Sequence, residues 1–161
     1  MTFSIRPEAE GDAAAVRAVH ASAFPSDAEA RLVDALRKAG RVSVSLVAAV
    51  EGQIVGHVLF SPVTPGRGLG LAPLAVLPRF QELGIGSELV ESGLDACEAD
   101  YAVVLGDPAF YARFGFRRAL DYGLDNEYGA REEFMVLELR PGALDGVRGR
   151  VQYSPEFAVF R

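Results

Sequence analysis

Residues 74–87 read Leu-Ala-Val-Leu-Pro-Arg-Phe-Gln-Glu-Leu-Gly-Ile-Gly-Ser. The apolar run at the start predicts a buried strand, which ends at Pro78 because proline cannot donate to a strand ladder. Gly84 and Gly86 then open a pattern that is typical of a helix. Such a junction directs several backbone N–H groups to one place, at the positive end of the helix dipole. It therefore predicts a phosphate site.

The residues of this junction allow three interpretations. A strand-to-helix turn can need Gly84 and Gly86 for tight packing alone. A dinucleotide site would have a third glycine at Leu89 and would begin a βαβ unit, whereas here two extended runs precede the junction. The third interpretation is a site for a different phosphate-bearing ligand. A second glycine-rich stretch at 66–70 precedes a strand without opening a helix, so we interpret it as a connection.

Composition narrows the class of protein. The chain has 161 residues, half of them hydrophobic, which predicts one compact domain. Its net charge of −6, with Arg117-Arg118 as the longest basic cluster, disfavours nucleic-acid binding. Because no apolar run approaches about 18 residues and no leader pattern opens the chain, we expect a cytoplasmic protein without membrane contact. His20, His57 and Cys97 are isolated in the sequence, so no metal site is expected.

The periodicity of apolar residues predicts an α/β fold. The predicted elements are, in order, a strand at 3–6, helices at 13–24 and 27–39, strands at 44–50, 54–60 and 71–77, a helix at 84–98, a strand at 101–105, a short helix at 109–114 and a strand at 134–139. The right-handed crossover makes the strand at 101–105 parallel to the one at 71–77. We expect a mixed, twisted sheet of six to seven strands flanked by helices. Residues 1–140 would form this domain, and residues 141–161 a C-terminal extension packed on it.

Two segments of the chain resemble the GNAT superfamily of N-acetyltransferases. Residues 56–63, Gly-His-Val-Leu-Phe-Ser-Pro-Val, and residues 104–111, Val-Leu-Gly-Asp-Pro-Ala-Phe-Tyr, look like a branch of poorly characterised bacterial members. The acyl-CoA motif of this family, Gln/Arg-x-x-Gly-x-Gly/Ala, is matched by residues 81–86, Gln-Glu-Leu-Gly-Ile-Gly. Its Tyr-x-x-x-Gly-Phe segment is similar to residues 111–116. One predicted helix and one predicted strand separate the two segments, as in the family. The resemblance covers about residues 4–140.

The resemblance implies an enzyme that transfers an acetyl group directly from acetyl-CoA to a primary amine of a small molecule or peptide, without a covalent acyl-enzyme and without a metal. The strand end would pair with pantetheine through its main chain, and the N–H groups of the loop would bind the pyrophosphate. The implied acyl-CoA-binding residues are Leu74, Ala75, Val76, Gln81, Glu82, Leu83, Gly84, Ile85, Gly86 and Ser87. Tyr111 is implied as the acid that protonates the departing thiolate.

The sequence leaves the general base open, because the strand before the glycine turn carries no carboxylate. A water chain, Asp125, Glu127 and His57 are candidates, although an isolated histidine in an apolar strand is typical of a structural group. The missing base keeps a non-catalytic acyl-CoA binding or sensing domain as the alternative, with a nucleotide-binding regulatory domain as a weaker third. The predicted acceptor walls, 24–29 and 121–128, are acidic and suit a cationic amine. Both a monomer and a homodimer are compatible with the sequence.

Overall fold

The computed structural model describes residues 2–160, which form four α-helices and nine β-strands. The helices are α1 (Ala13–Ala23), α2 (Ala28–Lys38), α3 (Ile85–Ala96) and α4 (Pro108–Ala112). The strands are β1 (Ser4–Pro7), β2 (Val44–Val50), β3 (Gln53–Val63), β4 (Gly68–Val76), β5 (Tyr101–Leu105), β6 (Arg117–Arg118), β7 (Leu124–Asn126), β8 (Phe134–Glu138) and β9 (Gly149–Val151). Within residues 2–160, no helix is long and apolar enough to cross a membrane.

Seven of these strands form one mixed sheet, in the order β1-β2-β3-β4-β5-β8-β6. Strands β4 and β5 pair in parallel, as the crossover through α3 requires, whereas β1–β2, β2–β3, β5–β8 and β6–β8 pair antiparallel. Strands β7 and β9 form a separate parallel pair. The predicted α/β fold with a mixed sheet of six to seven strands is therefore confirmed.

The described chain divides into two compact units. The first holds residues 2–60, 73–97 and 155–160, and the second holds residues 61–72 and 98–154. Strands β3 and β4 each contribute residues to both units. The core of the first unit is apolar and fully buried at Val16, Leu36, Val47, Val58 and Leu89. The core of the second unit includes Tyr101, Val103, Phe116, Leu124 and Phe134.

The glycine-rich stretch at 66–70 differs from its predicted role as a connection. Gly68 and Gly70 lie inside β4, which begins three residues earlier than expected. A Cβ atom added at Gly68 would lie 2.4 Å from the ring of Tyr101, and one at Gly70 would lie 2.7 Å from the ring of Tyr153. The prediction was wrong because these glycines make room for aromatic rings that are distant in sequence.

Helices α1 and α2 begin within one residue of the predicted positions, but neither Asp12 nor Asp27 caps its helix through its side chain. Helix α1 begins directly after Asp12, but the Asp12 carboxylate accepts from Ala9 N–H at 2.7 Å and pairs with Arg6 instead of capping the helix. Helix α2 begins after Asp27, and Ala28 N–H donates to Ser26 Oγ at 3.2 Å. The Asp12 contacts thus hold the chain that enters α1, and the Ser26 contact lies in the connection between α1 and α2.

Candidate functional site

Hydrogen bonds hold the turn that follows β4 against the end of that strand. Leu77 N–H donates to the carbonyl of Val55 at 2.8 Å, and a 3₁₀ turn follows at Pro78–Phe80. The side-chain amide of Gln81 then reaches back and donates to the carbonyl of Val76 at 3.0 Å. Gln81, which the motif placed among the ligand-binding residues, therefore also holds the loop against β4.

The start of α3 presents backbone donors. Gly84 is the N-cap, with φ of +88°, and Glu82 is left-handed as well, with φ of +63°. The first hydrogen bond inside the helix runs from Glu88 N–H to the Gly84 carbonyl at 3.1 Å. The N–H groups of Ile85 and Gly86 lie in the first turn, where an α-helix supplies no carbonyl for them, and they point toward its N-terminal end. A left-handed backbone costs a non-glycine residue about 1–2 kcal/mol, and strain of this kind concentrates at binding sites.

The glycines of this loop are not required by packing within the protein. A Cβ atom at Gly84 would meet nothing within 4 Å, and one at Gly86 would meet only Val76 Cγ2, at 3.9 Å. Elsewhere in the same unit, a Cβ atom at Gly56 would lie 3.0 Å from Leu89 Cδ1, and one at Gly93 would lie 2.5 Å from the ring of Phe60. The first interpretation of the junction, glycine for tight packing, is wrong for Gly86, which leaves an open surface where a ligand can approach the backbone.

Several of the predicted binding residues can contribute only their main chain. The side chains of Ala75, Val76 and Ile85 are at most 9% exposed and belong to the core. Leu74, Gly86 and Ser87 are half-buried, while Gln81, Glu82, Leu83 and Gly84 are exposed. Positive charge next to the loop comes from Arg79, whose guanidinium lies 5.1 Å from the centre of the Phe80 ring and donates to Gln53 at 3.3 Å.

Tyr111 lies in the second unit, on the short helix α4. Asp107 caps this helix by accepting from Ala109 N–H at 3.0 Å. The Tyr111 ring packs edge-on against Phe116, with centroids 5.7 Å apart, and a Cβ atom at Gly106 would lie 2.4 Å from it. Burial raises the pKa of Tyr111 to about 12, so the phenol keeps its proton at neutral pH. Tyr111 can therefore serve as a proton donor.

The three side chains considered as the general base lie in different surroundings. Asp125 lies in β7 and forms an exposed ion pair with Arg150 at 3.3 Å. Glu127 follows in the turn after β7. His57 is fully buried in β3 and forms hydrogen bonds with Ser45 and His20, each 2.8 Å long. The sequence could not reveal this histidine pair, because 37 residues separate its members and no motif joins them.

The surroundings of the Cys97 thiol lower its reactivity. Burial raises the pKa of Cys97 to about 12, and its thiol donates to the Gly93 carbonyl at 3.2 Å, so it lacks the thiolate character of a nucleophile. Among residues 2–160, no group of three or more His, Cys, Asp or Glu side chains could hold a metal ion.

Comparison with known proteins places the chain in a family. The acetyltransferase (GNAT) family matches residues 13–116. The chain is 44% identical over 165 residues to YhbS of Escherichia coli K12, an uncharacterised N-acetyltransferase, and the match covers 97% of this chain and 99% of that protein. The crystal structure of Escherichia coli YhbS in complex with CoA is 39% identical, has a TM-score of 0.92, and is matched over 97% of this chain and 92% of that one.

A second solved structure extends this likeness to another organism. A GNAT family acetyltransferase from Brucella melitensis, in complex with acetyl-CoA, is 36% identical with a TM-score of 0.80, over 97% of this chain and 98% of that one. The family match spans more than half of the sequence and contains both the glycine loop and Tyr111. The resemblance in the sequence is thereby confirmed: the chain belongs to the GNAT family and is an N-acetyltransferase.

Proposed function

We propose that the protein binds acetyl-CoA at residues 74–87 and transfers the acetyl group directly to a primary amine. The observation that carries this proposal is the open backbone around Gly84 and Gly86, at a helix start where several N–H groups converge. Phosphate oxygens complement such a site. The CoA and acetyl-CoA complexes of the two related proteins support the same ligand here.

The main chain does most of the binding. The pyrophosphate accepts hydrogen bonds from the N–H groups of Leu83, Gly84, Ile85, Gly86 and Ser87, next to the turn at Gln81 and Glu82. A hydrogen bond from an N–H group to a charged oxygen contributes about 1.5–3 kcal/mol, so two or three of them suffice without a lysine in the loop. The backbone of Leu74, Ala75 and Val76 pairs with the pantetheine amides as an added strand would.

Catalysis needs a neutral amine, stabilisation of the negative charge on the carbonyl oxygen, and a proton for the thiolate. A main-chain N–H near Val76 stabilises the oxygen. Tyr111 supplies the proton, a role carried by the family resemblance and supported by its high pKa. Cys97 takes no part, since a buried thiol with a raised pKa is a poor nucleophile, which favours direct transfer over a covalent acyl-enzyme.

The acceptor is a cationic amine that enters beside the connection between α1 and α2. Glu29, in the first turn of α2, has a buried carboxylate oxygen, Oε1, without a hydrogen-bond partner among residues 2–160. A buried acceptor of this kind is expected to have a partner in the working protein. The ammonium group of a small molecule or peptide would supply that partner.

The test measures thiol release from acetyl-CoA in the presence of a panel of primary amines, for the wild-type protein and for Tyr111→Phe. We expect kcat to fall by about 10²–10⁴-fold in the variant, the usual contribution of a general acid, with unchanged acetyl-CoA affinity by calorimetry. Tyr101→Phe is the matched control: it removes a buried hydroxyl that donates to the Pro65 carbonyl and should lower stability without changing kcat.

Two outcomes would overturn parts of this proposal. Undiminished turnover by Tyr111→Phe would remove the assigned acid. Tight binding of acetyl-CoA by the wild-type protein, with no turnover on any amine, would favour a non-catalytic acyl-CoA sensor.

A further inference from the structure

A chain of four polar side chains runs through the interior of the first unit. Ser45 Oγ lies 2.5 Å from Glu8 Oε1, and His57 Nε2 lies 2.8 Å from Ser45 Oγ. His57 Nδ1 in turn lies 2.8 Å from His20 Nε2. Both imidazoles are fully buried, at 0% exposure. The contacts join the residue after β1 to β2, β3 and α1 in one continuous hydrogen-bonded path.

The direction of every hydrogen bond in this path follows from Glu8. Burial by itself would raise the pKa of Glu8, but the hydrogen bonds of His57 and Ser45 and the charge of Arg37 lower it to about 2. An ionised carboxylate only accepts, so the Ser45 hydroxyl donates to it and its oxygen accepts from His57 Nε2–H. His57 Nδ1 is then unprotonated and accepts from His20 Nε2–H. His20 Nδ1 is then unprotonated, and its lone pair can accept a hydrogen bond or a proton.

The two histidines are neutral at neutral pH, which is what these single tautomers require. Burial lowers the pKa of His57. Burial, together with the nearby His57 and the positive charge of Arg37, lowers the pKa of His20 to about 3. The charged groups that face the path are Glu8, Arg37 and, through its ion pair with Arg37 at 3.0 Å, Asp34. An imidazolium inside this path is therefore unfavourable.

The inner end of the path lies beside the predicted acyl and acceptor regions. His20 Nδ1 is buried and has no hydrogen-bond partner among residues 2–160. The His20 ring stacks on Phe24, the first residue of the predicted acceptor wall, with ring centroids 6.0 Å apart. His57 lies in β3 two residues after Val55, whose carbonyl accepts from Leu77 N–H at 2.8 Å directly after β4. The path therefore runs through the strand beside β4, which would hold the thioester.

The outer end of the path approaches solvent. The Glu8 side chain is 11% exposed, and its second oxygen accepts from Arg37 at 2.5 Å. Arg37 is itself about one third exposed and also donates to Asp34. A proton that arrives at Glu8 can therefore leave to water, because a carboxyl group with a low pKa releases its proton readily.

We propose that His20, His57, Ser45 and Glu8 form the proton exit for the acceptor amine, and this inference rests on the proposed function. The ammonium group of the acceptor first gives one proton to His20 Nδ1, and the neutral nitrogen then bonds to the acetyl carbon as the carbon–sulfur bond breaks. His20 Nε2–H passes its proton to His57 Nδ1, His57 Nε2–H passes its proton to Ser45 Oγ, and the Ser45 hydroxyl proton goes to Glu8 and then to water. The thiolate takes its proton from Tyr111, and the second proton of the amine nitrogen, released as the amide forms, returns through solvent to the Tyr111 phenolate.

This relay explains how histidines with low pKa values can serve a base function. After a complete shift each imidazole has gained one proton and lost one, so both rings remain neutral and only their tautomers have changed. The negative charge that receives the proton is that of Glu8, at the end of the path that approaches solvent. A lone buried histidine would have to hold a positive charge instead, which its burial opposes.

The test compares Ser45→Ala, which breaks the relay, with Ser45→Thr, which keeps a hydroxyl at the same place. Using an amine that the wild-type protein acetylates, we expect Ser45→Ala to lower kcat about 10²-fold near pH 7, the usual contribution of a general base. The deficit should shrink toward about pH 10, where the amine arrives neutral and hydroxide accepts its proton. Ser45→Thr should stay within about threefold of wild type, and both variants should keep wild-type affinity for acetyl-CoA.

A second measurement does not depend on turnover. The sequence contains only two histidines, so a protein labelled with ¹⁵N-histidine has four ring nitrogen signals. We expect Nε2 protonated and Nδ1 bare in both rings near pH 7. In Glu8→Gln the fixed direction of the Ser45 hydroxyl is lost, and the tautomers of His57 should become mixed.

The outcomes separate the relay from the proposed function. Full-rate turnover by Ser45→Ala across the pH range, with acetyl-CoA bound normally, would overturn the relay alone. The opposite tautomers, or an imidazolium near pH 7, would overturn it as well. A wild-type protein that binds acetyl-CoA and acetylates no amine would overturn the proposed function and the relay with it.

Discussion

Helix α3 carries one glycine near each end, and a methyl group added at the two positions would meet different surroundings. At Gly93 it would lie 2.5 Å from the ring of Phe60, inside the core of the first unit. At Gly86 it would lie 3.9 Å from Val76 Cγ2, with no other atom within 4 Å. The same residue type in the same helix is thus required by packing at one end and not at the other.

The difference matters because glycine in a helix is unfavourable by about 1 kcal/mol relative to alanine. At Gly93 the protein recovers this loss by bringing the helix close to Phe60. At Gly86 nothing within the protein recovers it. A ligand that approaches the backbone at Gly86 would account for the glycine, and this is the proposed place of the pyrophosphate.

Among substitutions at the two glycines of α3, the largest effect is expected for Gly86→Leu. A side chain there has room in the folded protein but would lie where the phosphates approach the N–H groups, so one or two charged hydrogen bonds would be lost at about 1.5–3 kcal/mol each. We expect the affinity for acetyl-CoA to fall at least about 10²-fold by calorimetry. Thermal unfolding without ligand should be as in the wild type or slightly higher. Unchanged affinity in a folded variant would show that the ligand does not approach Gly86.

A smaller and opposite effect is expected for Gly93→Ala. The added methyl group would overpack against Phe60, which costs about 1–3 kcal/mol, partly offset by the better helix propensity of alanine. The variant should unfold at a lower urea concentration while it binds acetyl-CoA as the wild type does. Adding Phe60→Leu to Gly93→Ala should restore part of the stability. Weakened binding without loss of stability would abolish the contrast between the two ends of α3.

The sequence predicted the local features of this contrast and missed the distant ones. The strand, the proline and the glycine loop are neighbours along the chain, so their pattern indicated both the turn and its ligand class. The packing of Gly93 against Phe60 depends on residues 33 positions apart, which no local pattern records. The same limit explains the error at Gly68 and Gly70, whose partners Tyr101 and Tyr153 come much later in the chain.

The candidate site shows the same limit in its polar groups. Tyr111 belongs to a short motif and could be named from the sequence, whereas its burial and raised pKa required the fold. His20 and His57 are isolated in the sequence, and the apolar strand around His57 indicated a structural role for that histidine. Their hydrogen bond arises because a helix face is packed on a strand face, and this packing is a tertiary property that the spacing of residues cannot specify.

The smallest effect is expected for Gly86→Ala, which separates the size of the side chain from its mere presence. Alanine should stabilise α3 by about 0.5–1 kcal/mol, since the methyl group enters open space and helix propensity improves. Because the motif that the chain resembles has glycine or alanine here, we expect acetyl-CoA affinity within about threefold of wild type. Urea unfolding with and without acetyl-CoA measures both quantities on one sample. A loss of affinity as large as that of Gly86→Leu would mean that the ligand lies closer to the backbone than a methyl group permits, which would make the open end of α3 more sharply distinct from its packed end.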